Sequence, residues 1–100
     1  MSTPGEGHEG ETDDLDDLRR QIEAADRDLI RLIALRVKLA RRVGVVKRAA
    51  GLPAVDANRE AEVFRRAGEV ARQEGAAEDD VRYVFRFLID MSRRAQATDD

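Results

Sequence analysis

"LDDLRRQIEAADRDLIRLIALRVKLARRVGVVKRAA", residues 15–50, decides the fold of this 100-residue chain. Its apolar residues fall at 15, 18, 22, 25, 29 and 32 and again at 39, 43 and 46, in alternating steps of three and four. That spacing keeps them on one stripe of an α-helix. Asp13, Asp14, Asp16 and Asp17 suit the positive end of the helix dipole, and Gly51 followed by Pro53 stops the helix. At ~1.5 Å per residue such a helix is about 54 Å long, whereas a compact chain of this size has a radius of gyration of only ~13 Å. Its own chain cannot wrap it, so a second copy is expected to cover part of the stripe in an obligate homodimer.

Downstream, a second helix is expected from about Ala57 to Glu74, with Val63, Phe64, Ala67, Val70 and Ala71 as its stripe and Gly75 as its stop. A third begins near Glu78, where Glu78, Asp79 and Asp80 form an acidic first turn, and carries Val81, Val84, Phe85, Leu88 and Ile89. No alternating strand pattern and no internal repeat occur, so the class is all-α with three helices per chain.

Upstream, residues 1–17 hold seven acids, no Lys or Arg, and three interleaved glycines. This is the composition of a disordered acidic tail, assigned to residues 1–13, with one folded domain at 14–98. Beyond residue 17 there remain 18 basic and 14 acidic side chains, a mild excess of four positive charges that favours an anionic partner only weakly. His8, the sole histidine, lies in the tail, and no cysteine is present, so neither a disulfide nor a thiolate metal site can form. No apolar run approaches the ~18 residues of a membrane span and the N-terminus lacks a signal segment, so a cytoplasmic protein without a membrane partner is expected.

Polar residues interrupt each stripe. Arg36 takes the step between Leu32 and Leu39, and Lys47, eleven residues on, points within ~20° of it from about 16 Å farther along the axis. Stepping back four from Val63 and Phe64 gives Arg59 and Glu60, and stepping forward four from Leu88 gives Ser92 and then Gln96. Each has an ordinary structural explanation. Asp56 is a fitting helix N-cap, Arg59 and Glu60 could be a first-turn ion pair, and Ser92 and Gln96 could mark a helix fraying into solvent. Arg36 could snorkel past a thin seam, and Gly44 could be a close-packing point. Together on the inner faces of three helices they point to a small dianionic ligand, because buried charge costs several kcal/mol per ion unless paired.

The constellation resembles the all-α, AroQ-class chorismate mutases. In that family a long first helix carries two arginines and a lysine, matched by Arg19 in "LRRQI", Arg36 in "LIALRVKLA" and Lys47 in "VGVVKR". Its Asp-x-x-Arg-Glu motif is matched by Asp56, Arg59 and Glu60 in "DANRE", and its Ser-x-x-x-Gln by Ser92 and Gln96 in "SRRAQ". The resemblance covers about Leu15 to Gln96 and implies an intertwined antiparallel homodimer that rearranges chorismate to prephenate with no metal and no cofactor. It implies that Arg36 and Ser92 hold the ring carboxylate, Arg19 and Lys47 the side-chain carboxylate, and Lys47 with Gln96 the breaking ether oxygen. It further implies that Glu60 takes the ring hydroxyl, that Asp56 offers its backbone N–H to the same group, and that Arg59 holds the loop and adds positive charge. Arg19 precedes Arg36 by seventeen residues, about 25 Å along the axis, so it is expected to serve the partner's site.

Three other readings are open on the sequence. A mutase acting on 4-amino-4-deoxychorismate would use the same site, because Glu60 accepts from an amine as readily as from a hydroxyl. Isochorismate-pyruvate lyases share the fold and the cations but do not keep the Glu after the loop Arg, so Glu60 argues against that reading. A non-catalytic helical dimer binding nucleic acid would use outward arginines such as Arg20, Arg27, Arg31 and Arg41, and would leave Arg36, Ser92 and Gln96 unexplained. No nucleic-acid partner is therefore expected.

Overall fold

The structure, a computed structural model, describes residues 14–98. The acidic tail expected over residues 1–13 lies outside them. Three α-helices follow in chain order: α1 Leu15–Ala50, α2 Ala57–Gln73 and α3 Glu78–Gln96, with no strand among the described residues. The expected class and helix count are those observed, and α2 ends one residue earlier than its stripe suggested.

The helix ends follow local chemistry. The Asp14 carboxylate accepts from the Asp17 N–H at 2.8 Å and so caps α1, while Asp56, in extended backbone, accepts from the Arg59 N–H at 3.0 Å and caps α2. At the far end of α1 the Leu52 N–H reaches back to the Lys47 carbonyl at 2.9 Å, and at the end of α2 the Ala76 N–H reaches the Ala71 carbonyl at 2.8 Å. This closure needs a left-handed residue between, supplied by Gly51 at φ +70° and Gly75 at φ +79°.

The described chain falls into two units, divided after Leu32. The first contains the N-terminal half of α1. There the apolar stripe is bare: Leu15, Leu18, Ile22, Leu29 and Leu32 are exposed by between 41% and 61%. The second unit contains the rest of α1 with α2 and α3. Its interior is made of small residues, with Ala40, Gly44, Ala67, Gly68, Ala71 and Ala95 buried and no large side chain fully buried among the described residues. No helix among the described residues is long and apolar enough to cross a membrane.

Two of these small residues permit different kinds of approach. A Cβ on Gly44 would stand 2.2 Å from the Gln96 carbonyl oxygen and 2.8 Å from its Cα, so α1 meets the backbone of α3 here. A Cβ on Gly68 would meet only the guanidinium end of Arg82, which can swing aside. Alanine gains about 1 kcal/mol over glycine inside a helix from propensity alone. Thermal unfolding should therefore separate the two: Gly68→Ala is expected to be neutral or stabilising, whereas Gly44→Ala should lose about 1–3 kcal/mol through overpacking despite that gain. Equal midpoints for the two variants would remove the close approach at Gly44.

Candidate functional site

A cavity of about 240 Å³ opens within the second unit, lined by Arg36, Leu39, Ala40, Val43 and Lys47 of α1, Asp56 of the loop, Arg59, Glu60 and Val63 of α2, and Ile89, Ser92 and Gln96 of α3. The interrupted stripes thus converge. Arg36 donates through Nη1 to the Ser92 hydroxyl and, at 3.1 Å, to the Leu88 carbonyl, and its guanidinium lies 5.8 Å from the centre of the Phe85 ring. Three turns along α1, Lys47 Nζ donates to Gln96 Oε1 at 2.9 Å and to the Ala54 carbonyl at 3.1 Å, tying the helix to the loop that follows it. Gln96 is used as acceptor there, which leaves its amide NH2 to donate.

The hydrogen-bond partners of Arg36 and Lys47 among the described residues are all neutral. Burial, and then the like charge of Arg59, push the Arg36 guanidinium below its ordinary range. Both causes penalise the cation, and a negative charge beside it would offset them. The lining sets three cations, Arg36, Lys47 and Arg59, against two carboxylates, Asp56 and Glu60.

The first turn of α2 is arranged differently from the sequence reading. Arg59 and Glu60 do not pair with each other: Arg59 Nη1 donates to the Glu62 carboxylate at 2.8 Å on the exposed face. Glu60 is gripped from α3, where Arg93 Nε donates to Oε2 at 2.8 Å and Nη2 to Oε1 at 2.6 Å. The hydrogen bond from Arg93 is the main reason the Glu60 carboxyl is held below the usual carboxylate range, with lesser help from the charges of Arg93 and Lys47 against the opposing effects of burial and Asp56. Side chains at i and i+1 on a helix diverge by ~100°, so neighbours in sequence seldom meet, whereas partners on a facing helix do.

Seven of the eight residues singled out in the sequence line the one cavity: Arg36, Lys47, Asp56, Arg59, Glu60, Ser92 and Gln96. The eighth, Arg19, lies in the N-terminal unit, is exposed, and is not among the lining residues. Ser92 and Gln96 are within α3 and partly buried rather than fraying. Two arginines went unassigned. Arg93 stands beside Ser92 in sequence, and its role depends on the facing helix. Arg48 donates to the Gln96 carbonyl at 2.6 Å and the Thr98 carbonyl at 3.1 Å, where cations suit the negative end of α3.

The chain has recognisable relatives. Over 54 residues, 54% of its length, it is 39% identical to a bifunctional chorismate mutase/prephenate dehydratase of Aquifex aeolicus (strain VF5), and it spans only 15% of that protein's length. Among solved structures, a conserved hypothetical protein from Pyrococcus furiosus superposes with a TM-score of 0.68 at 33% identity, covering 82% of this chain and 93% of that one. Residues 18–97 match the family model of chorismate mutase type II. That match takes in all eight motif positions, Arg19 included, and most of the chain. The chain belongs to the chorismate mutase type II family, a family of isomerases.

Proposed function

We propose that this protein converts chorismate to prephenate by a [3,3] rearrangement in the cavity described above. The observation that carries the reading is the pair of cations, Arg36 and Lys47, set three turns apart in one cavity with only neutral hydrogen-bond partners among the described residues. The substrate has two carboxylates, and the two cations answer them. One C–O bond breaks and one C–C bond forms within a single molecule, so atoms and electrons balance without a second reactant.

In this reading Arg36 and Ser92 hold the ring carboxylate, and Lys47 turns toward the side-chain carboxylate. Lys47 and the Gln96 amide NH2 donate to the ether oxygen as negative charge develops there. Glu60 accepts from the ring hydroxyl. An acceleration of 10⁶ asks for about 8 kcal/mol. Two preorganised donors at about 3 kcal/mol each, with the gain from restricting the substrate to its reactive conformer, are of that size.

The bare stripe of the N-terminal unit supports a homodimer, in which a second copy covers Leu15, Leu18, Ile22, Leu29 and Leu32. If two α1 helices cross antiparallel near residue 33, Arg19 of one protomer lies level with Lys47 of its partner, and each site borrows one arginine.

Two tests follow. Purified protein should turn over chorismate, and Gln96→Ala should lower kcat by roughly 10² or more. Gln96→Glu should regain rate as pH falls, because only the protonated carboxyl donates. Turnover of 4-amino-4-deoxychorismate with none of chorismate would move the reading to that substrate, and turnover of neither would end it. For the dimer, inactive Arg19→Ala and inactive Lys47→Ala proteins should be mixed under exchange. About a quarter of wild-type activity should return, since half the dimers become mixed and each of these holds one intact site. Demonstrated exchange without activity would rule out a shared site.

A further inference from the structure

Glu60 has Arg93 behind it. Arg93 is not among the residues lining the cavity with Ser92 and Gln96; it lines a neighbouring groove with Ala57, Phe64, Phe87 and Asp90. Glu60 belongs to both, so its carboxylate stands between them. The two contacts at 2.8 and 2.6 Å form a two-point fork in which the planar guanidinium fixes both the position and the plane of the carboxylate.

We propose that Arg93 is a positioning residue: its fork orients the Glu60 carboxylate as an acceptor at one wall of the cavity, and so selects a ring substituent that carries a hydrogen-bond donor. The proposal rests on the chorismate reading. A carboxylate offers about four lone-pair sites, and the fork occupies two. Those remaining can receive a hydroxyl or an amine, and they repel a substituent that only accepts. Without the fork, the half-buried Glu60 carboxylate loses its two-point hold, and the wall loses its direction.

The fork also bears on protonation. The charged groups around Glu60 are Lys47 and Arg36 on α1, Asp56 in the loop, Arg59 beside it on α2, and Arg86, Asp90 and Arg93 on α3. Arg93 and Lys47 favour the carboxylate, while burial and Asp56 oppose it. Removing Arg93 leaves the opposing effects with less to balance them, so the carboxyl takes up its proton at higher pH. Once protonated it no longer serves as the ionised acceptor, and the acid limb of activity moves upward. Arg93 is half exposed, so the pair adds little to stability, and the pH profile is the more discriminating readout.

The experiment compares Arg93→Gln and Arg93→Lys with wild type, measuring kcat/KM for chorismate against pH. In parallel, 13C NMR follows the Glu60 side-chain carboxyl, identified by its loss in Glu60→Gln. Arg93→Gln is expected to shift the acid limb to higher pH, with the loss of kcat/KM largest below the wild-type midpoint and smaller near neutrality, where it is carried mainly by KM. The Glu60 carboxyl midpoint should rise with it. Arg93→Lys should recover part of the effect, as a point charge without the fork. In a Glu60→Gln background, Arg93→Gln should add no further pH dependence. An unmoved carboxyl midpoint in Arg93→Gln would overturn the pairing, and a moved midpoint with an unmoved activity profile would overturn the positioning role. If wild type fails to turn over chorismate, the substrate reading falls, while the NMR midpoint still decides the pairing.

Discussion

A guanidinium on the inner face of a helix is the constraint from which the C-terminal unit follows. Arg36 occupies a step that the repeat of α1 would give to an apolar side chain, and its partial burial there penalises the charge. Its compensation comes entirely from α3: the Ser92 hydroxyl, the Leu88 carbonyl and the Phe85 ring. Three turns along, Lys47 and Arg48 take hold of the last turn of the same helix. Polar contacts at two points of α1 therefore set how α3 is rotated against it, while small residues set how near it comes. Gly44 is where the two demands meet, since the backbone at Gln96 occupies the space a side chain would need.

This arrangement separates holding a group from using it. The Gln96 backbone carbonyl is held by Arg48 and its side-chain oxygen by Lys47, which leaves the amide NH2 uncommitted by those contacts. Glu60 has both oxygens in the grip of Arg93 yet keeps lone pairs in reserve. In each case a cation does the holding, and the group it holds is neutral or negative. In the reading proposed above, the cations stay occupied with neutral oxygens until the dianion arrives.

Most of the fold was legible because helix ends are decided locally. Asp14, Asp56, Gly51 and Gly75 act within a few residues of themselves, so their meaning survives in a linear string. The cavity was legible to the extent that its residues broke a period: Arg36, Lys47, Arg59, Glu60, Ser92 and Gln96 are conspicuous where apolar side chains belong. Residues that break no period stayed hidden. Arg93 and Arg48 lie among many arginines on polar faces, and only the pairing of two helices distinguishes them from solvated charge. The pairing of Arg59 with Glu62 instead of Glu60 has the same origin, because a helix brings together residues three or four apart and not immediate neighbours.

The alanine and glycine interior has a consequence for how such a cavity can change over generations. Where large side chains fill a core, volume can be traded between them, and a pocket can be reshaped from a distance. Here Ala40, Ala67, Ala71 and Ala95 have almost nothing to give, and the helices stand at distances set by their backbones. New substrate shapes must then come from the few larger side chains on the cavity wall, Leu39, Val43, Val63 and Ile89, whose exchange alters the space without moving a helix. Volume at the wall is thus separable from the frame that aims the polar groups.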